Sequence, residues 1–481
     1  MSAALLWVLL PVLVGVGLLF YRRPDDTPLY LALGLSFILT WIAWQFPIDV
    51  VLQLGSVSIE ISPTLVFLGR NFTIAENQRL LLTFIYLAET FWLLGSFITR
   101  PGRWFPALSL IAVGLFMAAL SVQPFLYAAL FLAAAVLLWV PLLVPPGSQP
   151  GRGIRRALIF LLFSLPFILF TGWLLTGAEG SPGSVTLVLR AGLMLALGFS
   201  FLLALFPFHS WVPMLAEEAH PYVLGFLTFF LHSVSLMFLL SFVERYVWLR
   251  DNPAVFELLL TVGSLGVFLG GLWAAQQRHL GRLMAYTGML ATGGLLQAIG
   301  LGGAAGLPAF FALLLPQAWV LWALAACLGV LYRQAPSLQL AELGPALRRH
   351  PLLAFTSVTA LLALAGLPLL GPFPAHLAIW QGVGRHSVGL LVLTLLGSLG
   401  LLAGGLRLLH AWLSAAPAAL APAVSAPAAP AGPRRLRGDL ANPYVWGFFL
   451  IWMVTLLGYG LLPSFLAPVG RLVLMFPQLF Q

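Results

Sequence analysis

Six titratable side chains lie in or beside long apolar runs: Glu89, His209, Glu217, Glu218, His232 and His376. Four of them fall in one stretch, residues 200–245, SFLLALFPFHSWVPMLAEEAHPYVLGFLTFFLHSVSLMFLLSFVER. An ionisable group at membrane depth is costly, so it faces a protein interior or wet cavity and marks an ion path. Histidine suits that work, because its ordinary pKa of about 6.5 lets it bind and release protons near neutral pH. The chemistry expected of this set is therefore proton exchange rather than bond making.

Each residue also has a plainer reading. His376 is the first candidate, but a histidine there also locks a helix break by bonding a freed carbonyl. His232 lies inside an apolar helix, where a polar helix–helix contact is the alternative. For His209, holding the broken helix is the preferred role over proton handling. Glu217 and Glu218 either gate proton entry, pair with a neighbouring subunit, or face solvent. Glu89 is the carboxylate set deepest in a span. It pairs with a neighbouring helix, serves a subunit interface, is held neutral, or handles protons.

These groups depend on interrupted helices. Proline removes a backbone donor and clashes one turn back. The first apolar helix is thus expected to run into Pro207 and stop near Pro213, with Pro221 opening the next. A second interruption, ALLALAGLPLLGPFPAHLAIWQG, sets Pro368, Pro372 and Pro374 around His376. Breaks survive in a bilayer only where protein or water satisfies the freed backbone groups.

The 481 residues are 61% hydrophobic and 8% charged, with mean hydropathy +1.02. A soluble domain is about 25% charged, so the chain reads as an all-α integral membrane protein. There is no lysine, so all 23 basic residues are arginine. Arginine does not deprotonate in practice, which leaves His, Asp and Glu for any relay. The net charge of +9 is explained by membrane topology, not by nucleic acid. The single Cys327 excludes a disulfide framework and reads as apolar filler. No zinc spacing, phosphate loop, cysteine cluster or paired haem-type histidines occur, so no cofactor or metal is expected on this chain. The N-terminal apolar run carries Arg22 and Arg23 after it, not before, and reads as a retained first span.

At about 20 apolar residues per crossing, fourteen spans are expected. With the N-terminus outside, 16 of the 23 arginines fall at inner ends, which agrees with the positive-inside rule. The even span count puts the C-terminus outside too. Residues 1–99 hold spans one to three and an outer β-hairpin in VVLQLGSVSIEISP. Residues 100–245 form a first repeat (spans four to eight) and 255–411 a second (nine to thirteen), two inverted five-helix repeats each with a Pro-broken helix. Residues 412–443 are an Ala/Pro-rich cytoplasmic linker, and 444–481 hold span fourteen and a tail. His410 and Arg407 are placed at an inner interface. His220, His279, His350 and His386 fall at span ends.

FPFHSWVPMLAEEAHPYV, RHLGRLMAYTGMLATGGLLQAIGL and AGLPLLGPFPAHL, in this order, resemble three segments of one family. It comprises the antiporter-like membrane subunits of respiratory complex I (NADH-quinone oxidoreductase chains M, N and L), related to Mrp-type antiporters and membrane-bound hydrogenases. The resemblance covers roughly residues 100–410. It implies a bacterial or archaeal plasma-membrane subunit that works beside other hydrophobic membrane-arm subunits, with redox cofactors on other chains.

The departures are as informative. The family's proton axis uses a Glu in span five, Lys in span seven, Lys in span eight and Lys or Glu in span twelve. Residues 104–151 hold no charge, so that Glu is missing. The first Lys position falls at Leu202, the second at or beside Ser233, next to His232, and the last at His376; the family's His of span ten falls near Ala291. The expected function is a complex I-like subunit with a largely lost relay that contributes to, or supports, proton translocation. The alternatives are a Mrp-type antiporter, hydrogenase or inorganic-carbon uptake subunit, or a non-conducting scaffold. A chain ending at Gln481 lacks the long lateral helix of the arm's terminal subunit, which argues against that position.

Overall fold

Apolar runs fold as helices here because a backbone removed from water must satisfy its own polar groups. The computed structural model describes residues 2–23, 25–54, 57–67, 69–144, 149–179, 185–335, 337–414, 443–462 and 470–480. A π-helical turn, Leu5–Leu9, leads into α1 (Leu10–Leu19) and α2 (Thr27–Gln45). Two antiparallel hairpins follow, β1 (Val51–Leu54) with β2 (Val57–Glu60), and β3 (Thr64–Phe67) with β4 (Arg70–Thr73). The first is the hairpin expected from alternation; the second was not expected. Then come α3 (Arg79–Thr99), α4 (Phe105–Ser121), β5 (Val122–Gln123, paired to β4), α5 (Ala128–Leu137), α6 (Val140–Leu143), α7 (Arg152–Glu179) and α8 (Val185–Leu202). The next group is α9 (Trp211–Glu218), α10 (Pro221–Arg245), α11 (Val247–Arg250), α12 (Pro253–Gln276), α13 (Leu280–Gly300) and α14 (Gly303–Gln334). The last are α15 (Leu340–Arg349), α16 (Pro351–Leu364), α17 (Phe373–His386), α18 (Val388–Ser414), α19 (Pro443–Leu461) and α20 (Pro477–Phe480). The Ala/Pro-rich linker expected at 412–443 lies almost wholly outside the described residues.

Among the described residues, eight helical segments are long and apolar enough to cross a membrane, and five shorter apolar helices accompany them. In α10, 89% of the apolar stretch is buried, against 33% in α2, α7 and α18. A helix apolar on all sides and buried on all sides belongs at the centre, so α10 is the hub and the other three form the rim. Its Phe226 and Phe230 meet Phe105 and Phe116 of α4, and Gly225 abuts Ala325 of α14. On the far side, α12, α13 and α18 pack closely through glycine. A Cβ at Gly271 would lie 1.8 Å from the Gly397 carbonyl oxygen, so only glycine permits that approach.

The first break differs in detail from expectation. The helix ends at Leu202, before Pro207, and restarts at Trp211. Pro213 therefore does not stop a helix; it sits in the first turn of α9, where its missing N–H has no intrahelical acceptor to lose. The stop is a Schellman closure at Ala204, φ 53°. Leu205 N–H donates to Ser200 O (3.0 Å) and Ala204 N–H to Phe201 O (3.4 Å). The second break closes in the same way: Gly366 has φ 84°, Leu367 N–H donates to Leu362 O (3.0 Å), and Gly366 N–H to Ala363 O (3.0 Å). Pro374 likewise falls in the first turn of α17.

Two histidines at helix starts have a defined job. His220 Nδ1 accepts from Tyr222 N–H (3.2 Å) and caps α10; His279 Nδ1 accepts from Arg282 N–H (3.4 Å) and caps α13. A cap that accepts must be neutral. Burial first, and then the Arg333 charge, push His220 down from 6.5 to about 4, while a backbone bond at Thr99 opposes them. Between those pH values the unfolded chain binds the extra proton, so stability falls as pH drops through the window. His220→Asn keeps an acceptor but does not titrate. Its thermal midpoint in detergent should fall less than the wild type's as pH goes from 6.5 to about 4; equal slopes would mean that this cap does not titrate there.

Candidate functional site

His232, on the hub helix, is buried, and its Nδ1 lies 2.9 Å from Thr292 Oγ1 on α13. Thr292 Oγ1 donates its own proton to Gly288 O (3.0 Å). With the hydroxyl proton on Gly288 O, the hydroxyl accepts from His232, an arrangement that puts the imidazole proton on Nδ1 and leaves Nε2 with its lone pair. Nε2 is buried and has no hydrogen-bond partner. Beside it is a cavity of about 40 Å³ whose lining includes Thr228, His232, Ser233, Gly288, Thr292 and Gln317. At ~10–15 Å³ per water, roughly three waters fit, and the polar lining gives them partners.

His376 occupies the first turn of α17, just past the second break. Its N–H donates to Pro372 O (3.0 Å), and its ring lies 5.8 Å from that of Trp380. The side chain is buried, and its Nε2 too has no partner. A Cβ at Gly294 of α13 would come within 4.0 Å of His376 Cε1. Thr292 and Gly294 are two residues apart, about 200° around a helix. The two imidazoles thus flank α13 from opposite sides. Lower on the same helix, Gln297 Nε2 donates to Ser264 Oγ (2.8 Å) and Thr394 Oγ1 (2.5 Å), which fixes α13 to α12 and α18.

The other candidates are elsewhere. The His209 ring stacks on Trp273 of α12, 4.5 Å between centroids, and is not among the residues that line the cavity. Glu217 pairs with Arg282 at the start of α13, 2.7 Å apart. Glu218 accepts from Gly153 N–H (2.9 Å) and Ile154 N–H (3.1 Å) at the start of α7, where free donors and the helix dipole favour a carboxylate. Both glutamates clamp the half-helix α9 in place, one to each neighbour. Glu89 is fully buried on α3, and neither of its oxygens has a hydrogen-bond partner. Leu202 is the last residue of α8, and Ser233 lines the cavity.

Sequence reading missed Thr292 and Gln317. The available signal was a threonine among small residues, ATGG, in a helix that must pack against an intramembrane histidine. Thr292→Val removes the partner of His232 Nδ1 seen among the described residues and should destabilise the protein by about 0.5–2 kcal/mol, read as a lower thermal midpoint in detergent. An unchanged midpoint would mean the His232–Thr292 contact contributes nothing.

The NADH:quinone oxidoreductase/Mrp antiporter transmembrane family matches residues 186–402, which include both breaks and both histidines. NADH-quinone oxidoreductase subunit 14 of Thermus thermophilus is 30% identical over 326 residues, covering 66% of this chain and 72% of that relative. A chain of respiratory complex I from Thermus thermophilus with bound NADH shares the fold, with TM-score 0.74 and 22% identity over 99% of this chain and 100% of that one. A chain of the Mrp complex from Dietzia sp. does so with TM-score 0.74 and 18% identity, over 98% and 96%. Matching sequence across the broken-helix region and matching fold along the whole length converge: the chain belongs to the antiporter-like membrane subunits of the complex I type.

Proposed function

We propose that this chain is a membrane-arm subunit of a complex I-like NADH- or ferredoxin-quinone oxidoreductase, and that it handles protons through His232 and His376 rather than through lysines. The observation that carries this reading is the pair of buried, unpartnered Nε2 atoms flanking α13, one of them beside a cavity with room for water. Each imidazole has an open lone pair, so each can take a proton from a water file and return it. The chain has no lysine to do this.

The fuller architecture follows the same reading. It has fourteen spans in two inverted five-helix repeats, and the matched Schellman closures at Ala204 and Gly366 support that pairing. Ser2 pairs with Ser62 beside the hairpins, while Asn77 Nδ2 donates to Leu474 O and Glu244 accepts from Gln478 N–H. These contacts support both chain ends lying on one side, assigned here as the outside of a bacterial or archaeal plasma membrane. Redox cofactors belong on other chains, and the partners are sister membrane subunits and lipid, not nucleic acid.

A second reading, a scaffold that conducts nothing, is favoured by one observation: Leu202 and the charge-free residues 104–151 stand where the family carries relay groups. His232→Leu and His376→Leu separate the two, in the whole native complex reconstituted into vesicles. Normal assembly with fewer protons moved per electron supports the histidine route. Normal assembly with unchanged proton movement makes the chain a scaffold. Loss of proton movement with cation exchange retained in the absence of any electron donor would place the chain in a Mrp-type antiporter.

A further inference from the structure

Glu89 is buried on α3, is not among the residues that line the cavity, and belongs to none of the contacts described so far. Its surroundings define its state. Polar groups near it include Tyr86 on its own helix, Ser109 on α4 and Tyr222 on α10, and none of these carries positive charge. Each of these hydroxyls already donates its proton to a backbone carbonyl: Tyr86 to Trp7 O, Ser109 to Pro106 O (3.2 Å) and Tyr222 to Trp92 O. What they offer Glu89 is oxygen lone pairs. A carboxylate here would have at most the Ser109 hydroxyl to draw on and no counter-charge, which is a costly arrangement for a buried ion. A carboxylic acid has one O–H to give, and Ser109 Oγ is there to accept it.

The approach to this site is also built. Glu89, Trp92, Ser96 and Thr99 recur every three or four residues, so they share one face of α3, and all are buried. The line runs about 15 Å, ten residues of helix, from Glu89 to the α3 end where His220 and Arg333 sit. Along it lie the Thr99, Ser96 and Tyr222 hydroxyls. Gly95 exists for this seam: a Cβ there would meet the Tyr222 hydroxyl oxygen at 2.2 Å. Gly329 of α14 makes the matching gap, where a Cβ would meet Thr99 at 2.8 Å.

We propose that Glu89 is a proton-binding site separate from the two histidines, holding a neutral carboxylic acid that donates to Ser109 and exchanges its proton along the α3/α10/α14 seam through Tyr222. The transfer moves one proton between oxygen atoms and changes no oxidation state. The proposal stands whether or not His232 and His376 conduct.

Infrared difference spectroscopy on the full chain in its native complex tests it. The carbonyl stretch of a protonated carboxylic acid should be present at neutral pH in the wild type and lost in E89Q. In Ser109→Ala the band should persist but shift, because the acid has lost its acceptor; this variant serves if E89Q does not assemble. On transfer to D2O the band should move more slowly in Tyr222→Phe than in the wild type, by an order of magnitude. A purely structural Tyr222 would not alter that exchange rate. Spectra of wild type and E89Q that do not differ in this band, or equal exchange rates in Tyr222→Phe and wild type, would overturn the proposal.

Discussion

The constraint on which the molecule depends is that a helix cannot end inside a bilayer without partners for its last carbonyls. Both interrupted helices meet it with the same local closure, a left-handed residue at Ala204 or Gly366 that turns two N–H groups back onto the preceding turn. Once closed, each end releases a short half-helix whose direction is set by what it touches. For α9 that is done by two carboxylates, Glu217 on Arg282 and Glu218 on the first N–H groups of α7. For α17 it is done by packing, with His376 and Trp380 seated against Gly366 and the small face of α13.

Helix α13 gains its importance from this. It begins at the Glu217 clamp, carries the threonine that orients His232, and presents a glycine to His376. Further along, Gln297 ties it to α12 and α18. This buried helix fixes where the two imidazoles lie, and the orientation of an imidazole decides which of its nitrogens is open. In both histidines the Nε2 atom is buried without a hydrogen-bond partner.

The absence of lysine changes the electrostatics of the whole bundle. A lysine buried in a relay brings a charge that a carboxylate must balance; a neutral imidazole needs only a hydrogen bond. This fits residues 104–151, which hold no carboxylate to balance anything. It also explains why the deepest carboxylate, Glu89, stands on α3 among hydroxyls and rings instead of beside a cation. The arginines described here are at helix ends, where Arg79, Arg100, Arg250 and Arg282 pair with acidic groups near the surface.

Sequence alone determined the class of the protein, the existence of two interruptions, the first hairpin and the burial of His232 and His376. These follow from hydropathy, proline and glycine, which act within a few residues of their own position. It did not determine where the first helix stops, because Ala204 carries no glycine signal and its left-handed turn is held by hydrogen bonds rather than by residue type. It did not reveal that Glu217 and Glu218 are clamps, that His209 stacks on Trp273, or that His232 and His376 share α13. Those pairings join residues 60 or more positions apart, or on helices whose facing sides are set only when the bundle packs. Tertiary structure also decided the partner of His232, since only packing brings its Nδ1 to Thr292 Oγ1.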